Sequence, residues 1–71
     1  MREVVVMPGI KLEQLLKYAG LVSTGGEAKY LIQSGFIKVN GEQETRRGYK
    51  IQAGDIVESE DETLYISWQV K

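Results

Sequence analysis

Two segments of the chain carry apolar residues at the three- and four-residue intervals of an amphipathic helix. In the first segment, the apolar stripe consists of Leu12, Leu15, Leu16 and Ala19. Charged and amide side chains fall outside that stripe, as in a helix with one buried face. Gly20 follows, and glycine is the residue that most often closes a helix. The pattern predicts a first helix over Lys11–Ala19.

The second helix is predicted from a similar but shorter stripe, formed by Ala28, Leu31 and Ile32. Ser23 or Thr24 can cap its start, and Thr24 with Glu27 three residues later has capping-box spacing. Gly35 is expected to end the helix. A glycine pair, Gly25-Gly26, lies at the predicted start.

Strand signals lie on both sides of the helices. Glu3–Met7 is rich in β-branched residues and predicts a strand that is either buried on both faces or placed along a sheet edge, ended by Pro8-Gly9. Phe36–Val39 leads into Asn40-Gly41, the pair that best tolerates positive φ at both centres of a two-residue turn. We therefore expect a hairpin that returns along Glu42–Thr45.

The C-terminal part predicts a second hairpin. Residues 51–55 are expected to form a strand end and a turn, followed by a strand at 56–58. Glu60-Asp61-Glu62 is expected at the hairpin tip, and the return strand alternates Leu64, Ile66 and Trp68 with Tyr65 and Ser67. The predicted fold class is α+β, with two short helices packed on a small, mostly antiparallel sheet.

Composition narrows the possible functions. A chain of 71 residues is long enough for one domain, so residues 1–71 are expected to form a single unit. The chain has neither cysteine nor histidine, which removes disulfides, thiolate metal sites and the commonest general base. We expect a cytoplasmic protein that is not an enzyme, has no metal or cofactor, and has no membrane segment.

Charge is distributed unevenly along the chain. Residues 11–50 contain seven basic and four acidic side chains, whereas residues 51–71 contain one basic and five acidic side chains. Surface potential depends on such local imbalance more than on the formal net charge of −1. A basic body with an acidic C-terminal hairpin, residues 55–70, is compatible with an RNA partner. An excess of basic over acidic side chains of the size found in residues 11–50 is also ordinary for a solvated surface.

Several motifs occur together in an order that resembles a known family. They are Lys11-Leu12-Glu13-Gln14-Leu15-Leu16, Gly20-Leu21-Val22, Glu27-Ala28-Lys29-Tyr30-Leu31-Ile32, Gly35-Phe36-Ile37-Lys38-Val39-Asn40-Gly41 and Ala53-Gly54-Asp55-Ile56-Val57. The run is similar to the RNA-binding domain of ribosomal protein S-four, also called the alpha-L motif, and to its short stand-alone bacterial members of the YaaA and YbcJ type. The resemblance spans about residues 10–58.

The resemblance implies binding of structured RNA, typically ribosomal or transfer RNA, through the helices and the basic edge beside them. By position, Lys11 matches a basic residue that opens the first helix, and Lys29 matches one on the second. One departure is clear: many family members carry arginine where this chain has Gly25. Without that arginine the chain lacks a guanidinium that could bind a phosphate at two points. The exposed amides beside Gly25-Gly26 can replace this contact in part.

Each candidate residue also has a purely structural interpretation. The glycine pair can be a simple interhelical turn. Lys29, expected at the third position of its helix, can be a solvated side chain, and Arg46-Arg47-Gly48-Tyr49-Lys50 can protect a sheet edge from aggregation. Tyr49 can stack on an unpaired base or be half-buried in a strand. The candidate RNA contacts are Lys11, Gly25, Gly26, Lys29, Lys38, Arg46, Arg47 and Lys50.

Two hypotheses follow. In the first, a monomer binds ribosomal RNA without catalysis, in a ribosome-associated or assembly role. In the second, the protein is an adaptor whose acidic hairpin docks on a basic protein partner and RNA is irrelevant. A ubiquitin-like carrier would need a free diglycine end, whereas this chain ends Gln69-Val70-Lys71.

Overall fold

The computed structural model describes residues 1–69, so the predictions that involve Val70 and Lys71 lie outside the described residues. The chain forms, in order, β1 (Arg2–Val6), α1 (Leu12–Tyr18), α2 (Gly25–Gln33), β2 (Lys38–Val39), β3 (Glu42–Gln43), β4 (Ile56–Glu58) and β5 (Thr63–Trp68). The predicted α+β class is confirmed. No helix within residues 1–69 has the length and apolar character needed to cross a membrane.

The five strands form one sheet in the order β1-β5-β4-β2-β3. The pairs of β5 with β4, β4 with β2, and β2 with β3 are antiparallel, whereas β1 pairs with β5 in parallel at the sheet edge. The sheet is therefore mostly antiparallel, as predicted. Of the two predicted placements of the first strand, the edge is the one observed.

Both helices lie over one face of the sheet. Side chains alternate along a strand, so each strand contributes every second residue to the core. The core consists of Val4, Val6, Val39, Val57, Leu64 and Ile66 from the strands, Leu12, Leu15, Leu16, Ala28 and Ile32 from the helices, and Val22, Ile37 and Ile51 from the connections. The opposite face of the sheet carries mostly polar side chains.

Several predicted boundaries differ from the observed ones. α1 begins after Lys11, and Ala19 is its half-buried C-cap. β1 starts and ends one residue earlier than predicted. β3 is two residues long and not four, although the Glu44 amide just beyond it still donates to the Ile37 carbonyl at 3.0 Å. Leu31, predicted to be buried, is only half-buried.

The turn and cap predictions were confirmed. Asn40 and Gly41 both have positive φ, 54° and 85°, as a two-residue hairpin turn of this type requires. The hydroxyl of Thr24 accepts a hydrogen bond from the Glu27 amide at 3.2 Å. The Glu27 carboxylate accepts from the amide of Ser23, one residue before the cap, so the capping box is shifted by one residue.

Candidate nucleic-acid interface

The basic segment Arg46–Lys50 is attached to the start of α1 by backbone hydrogen bonds. The Leu12 amide donates to the Tyr49 carbonyl at 2.8 Å, and the Glu13 amide donates to the Arg47 carbonyl at 3.2 Å. Lys11 and Lys50 face each other in an isolated antiparallel bridge. The structure therefore brings the backbones of Lys11, Arg47 and Lys50 together, although they are far apart in sequence.

We call the exposed side chains of Lys11, Arg47 and Lys50 the basic cluster. Among residues 1–69, ion pairs are formed only by Arg2 with Glu62 and by Arg46 with Glu44. The three cations of the basic cluster are thus not neutralised within the described part of the chain. The first two amides of α1, those of Leu12 and Glu13, already donate to protein carbonyls. An anion would therefore be attracted by the side chains of the basic cluster and not by the amides at that helix end.

Arg46 differs from its neighbours because Glu44 already holds its guanidinium. Arg46 Nε lies 2.8 Å from Glu44 Oε2, and Nη2 lies 3.1 Å from Oε1, which makes a two-point pair. The hydrogen bond from Arg46 lowers the pKa of Glu44, and the same bond raises the pKa of Arg46. The guanidinium also lies 5.6 Å from the centre of the Tyr49 ring. An anion must compete with Glu44 for this arginine.

A buried carboxylate fixes the loop that carries the basic cluster. Asp55 is 6% exposed and is the only charged side chain in the core of residues 1–69. It accepts hydrogen bonds from the Tyr49 hydroxyl at 3.1 Å, the Gln52 amide at 2.8 Å and the Asn40 side chain at 3.0 Å. Burial and the hydrogen bond to Asp55 raise the pKa of Tyr49.

Sequence reasoning missed this network. The sequence predicts only a turn at Asp55 and a hairpin turn at Asn40. Neither residue type indicates that the two side chains meet. Asn40 also accepts from the Ile56 amide at 2.9 Å, so one side chain joins the β2–β3 turn, the start of β4 and Asp55. Tyr49 is half-buried, as the structural interpretation predicted, but it lies in a loop and not in a strand.

The start of α2 is the second candidate region. Gly25 and Gly26 are the first two residues of this helix and are exposed. Thr24 satisfies the amides of Glu27 and Ala28, and no acceptor within residues 1–69 takes the amides of Gly25 and Gly26. Two amides and the helix dipole therefore face solvent here, beside the negative charge of Glu27.

Lys29 and Lys38 are not joined to the basic cluster by any hydrogen bond within residues 1–69. Lys29 is exposed at the fifth position of α2, not the third, because the helix already begins at Gly25. Lys38 precedes the buried Val39, so it points to the sheet face opposite the helices. Its cross-strand neighbour on β4 is Glu58.

The family model described as "S4 domain" matches residues 6–67. The chain therefore belongs to the S4 domain family, and the resemblance stated from its motifs is confirmed.

Individual relatives support the same assignment. The probable ribosome maturation protein RlbA of Bacillus subtilis (strain 168) is 43% identical over 51 residues, which cover 72% of each chain. The putative RNA-binding protein YbcJ of Escherichia coli (strain K12) is 44% identical over 50 residues, covering 70% of this chain and 71% of the relative.

A solved structure extends the similarity to the fold. The solution structure of YbcJ from E. coli, described as revealing an alpha-L motif involved in RNA binding, superposes with a TM-score of 0.67 at 33% identity. The alignment covers 93% of this chain and 84% of that chain. The two helices and the sheet described above thus correspond to an alpha-L fold.

Proposed function

We propose that this protein binds structured RNA, specifically ribosomal RNA, and acts on the ribosome or its precursors without catalysing a reaction. The observation that carries the proposal is the basic cluster: three exposed cations, not neutralised within residues 1–69, held side by side by backbone bonds to α1. The functions for which the relatives are named, RNA binding and ribosome maturation, support the choice of ligand.

The proposed contacts act mainly on phosphates. Lys11 and Lys50 supply point charges, and Arg47 supplies a planar fork that can bind two phosphate oxygens. At α2, the free amides of Gly25 and Gly26 donate hydrogen bonds to a further phosphate, with Lys29 one turn along the same helix. Lys38 is a secondary contact for RNA that extends to the other sheet face. We further propose that residues 1–71 act as one monomeric RNA-binding unit in the cytoplasm.

The affinity for RNA should depend steeply on salt. If Lys11, Lys29, Arg47 and Lys50 each neutralise one phosphate, log K should fall with log salt concentration at a slope between about −2.8 and −3.6. The measurement is a fluorescence titration with bacterial ribosomal RNA fragments over several salt concentrations. Transfer RNA and a single-stranded homopolymer of equal length serve as competitors. Binding that ignores salt, or a homopolymer that competes equally well, would refute the proposal for structured RNA.

Releasing Arg46 from Glu44 should strengthen RNA binding. In Glu44→Gln the carboxylate that holds the guanidinium is gone, so Arg46 becomes available to phosphate. The affinity should rise by up to about fivefold, the range expected for an exposed ion pair that no longer has to be broken. The slope of log K against log salt concentration should become steeper by the contribution of about one additional phosphate contact.

Glu42→Gln provides the matched control for the Glu44 variant. Glu42 is exposed two residues away and forms no ion pair within residues 1–69. Both variants change the net charge equally, but only Glu44→Gln frees an arginine. Equal gains for the two variants would show that net charge alone is responsible and that Arg46 does not contact the RNA.

A further inference from the structure

An apolar groove lies on the surface between α2 and the β4–β5 turn. It is lined by Leu21, Tyr30, Leu31, Phe36 and Ile37 and has a volume of about 330 Å³. Tyr30 is 64% exposed and Phe36 is 41% exposed, and their ring centres lie 6.2 Å apart at 45°. Two adjacent large aromatic side chains that face solvent are unusual for surface that remains uncovered.

The groove continues along the start of α2. A second depression of about 440 Å³ shares Leu21, Tyr30 and Leu31 with the first and extends to Gly26 and Glu27. We call the two depressions together the aromatic groove. Its elongated shape suits an extended segment of chain rather than a compact small molecule.

Carboxylates lie at both ends of the aromatic groove, and no lysine or arginine of residues 1–69 lines it. Glu60 and Asp61 form the wall at the β4–β5 turn, and Glu27 lies at the other end. None of the three forms an ion pair within the described chain, whereas the neighbouring Glu62 is paired with Arg2. The groove therefore presents uncompensated negative charge around an apolar floor.

The acidic wall has a defined shape. The Ser59 amide donates to the Glu62 carbonyl at 2.8 Å, and the Glu62 amide donates to the Ser59 hydroxyl at 3.2 Å. These bonds close the turn and hold Glu60 and Asp61 at its tip. A partner would meet these two residues on a backbone turn that is already formed, which reduces the ordering cost of binding.

We propose that the aromatic groove binds an extended segment of a partner protein in which basic and aliphatic side chains alternate. Aliphatic side chains match the apolar floor, and lysine or arginine matches the carboxylates at its two ends. RNA is a poor occupant of the end at the β4–β5 turn because its phosphates would be repelled by Glu60 and Asp61. The other end, at Gly26, adjoins the phosphate contact proposed at the start of α2. The protein then carries a surface for a basic protein segment that is distinct from the basic cluster, and this inference does not depend on the proposed RNA function.

A model peptide tests the groove directly. The probe is a ten-residue peptide in which lysine or arginine alternates with leucine or valine, titrated into the ¹⁵N-labelled protein. Chemical-shift changes should concentrate at Leu21, Tyr30, Phe36 and Glu60. Two control peptides are needed, one that replaces the aliphatic residues with glycine and serine and one that replaces the basic residues with glutamate. Both should bind at least about tenfold more weakly.

Matched variants assign the interaction to the groove. Glu60→Lys should weaken peptide binding about three- to tenfold, whereas Glu42→Lys, an equal charge change on β3, should have little effect. Tyr30→Ser should weaken binding at least about fivefold, whereas Tyr18→Ser, a change at another exposed tyrosine, should not. If Tyr30→Ser unfolds, the Glu60 and Glu42 pair still decides the question.

Three results would overturn the proposal. The first is equal binding of the basic and acidic peptides, and the second is shift changes that lie outside the groove. The third is an RNA titration that shifts Tyr30 and Phe36 while the basic peptide does not, which would assign the aromatic side chains to nucleic acid.

Discussion

Arg47→Glu should weaken binding of ribosomal RNA about ten- to a hundredfold at moderate salt. The change removes the guanidinium of the basic cluster and places a carboxylate against phosphate, and a hydrogen bond to a charged group contributes about 1.5–3 kcal/mol. The same variant should bind with a shallower salt slope, because at least one phosphate contact is lost. Affinity and slope are both measured by fluorescence titration.

Lys17→Glu is the matched control, because it makes the same charge change at an exposed position in the last turn of α1. The basic cluster adjoins the other end of that helix. We expect Lys17→Glu to reduce the affinity by less than about threefold, because its repulsion of distant phosphates is screened by salt. If the two variants weaken binding equally, the RNA is attracted by overall charge and the basic cluster is not its binding surface.

Lys38→Glu extends the comparison to the other sheet face. Lys38 is exposed there, opposite the helices, and would meet only RNA that reaches around the sheet. An effect close to that of Lys17→Glu would restrict the interface to the helix side. An effect close to that of Arg47→Glu would place Lys38 among the main contacts.

Asp55→Ala should lower the free energy of unfolding by about 2–4 kcal/mol. The substitution removes the buried carboxylate that accepts three partly buried hydrogen bonds, from the Gln52 amide, the Tyr49 hydroxyl and the Asn40 side chain. Losing several hydrogen bonds to a charged group is costly. Because this loss is a large part of the stability of a 71-residue protein, the variant should be partly unfolded at room temperature. Chemical denaturation followed by circular dichroism measures the change.

Asp61→Ala is the control for stability, since this aspartate is exposed at the tip of the β4–β5 turn and accepts no side-chain hydrogen bond within residues 1–69. It should change the free energy of unfolding by no more than about 0.5 kcal/mol. Tyr49→Phe removes a single hydrogen bond to Asp55 and should cost about 1 kcal/mol. If Asp55→Ala costs no more than Asp61→Ala, the carboxylate does not hold the loop.

The hairpin turn and the helix caps could be predicted because each depends on neighbouring residues. Asn40-Gly41 adopts positive φ in almost any protein, since its steric freedom is local. Thr24 caps α2 because its hydroxyl reaches an amide three residues ahead. The boundaries were less accurate because the last residues of an element depend on the backbone groups that the rest of the fold places beside them. β3, predicted to run to Thr45, pairs with β2 only over Glu42 and Gln43.

The pairing of β1 with β5 could not be predicted from periodicity. The two strands lie at opposite ends of the chain, and neither contains a signal for its partner. Their register, with Val4 beside Ile66, arises from the burial of both side chains against the helices. Non-local pairing of this kind depends on the whole core.

The same distinction applies to the candidate interface. The sequence by itself determined the helices, the hairpin, the basic segment and the family, because periodicity, turn chemistry and the order of the motifs are all written in neighbouring residues. Only the tertiary structure decided that Lys11 lies beside Lys50, that Glu44 holds Arg46, and that Asp55 fixes the loop between them. A charge on a side chain is a property of its residue, whereas its availability to a ligand depends on which groups the fold places next to it.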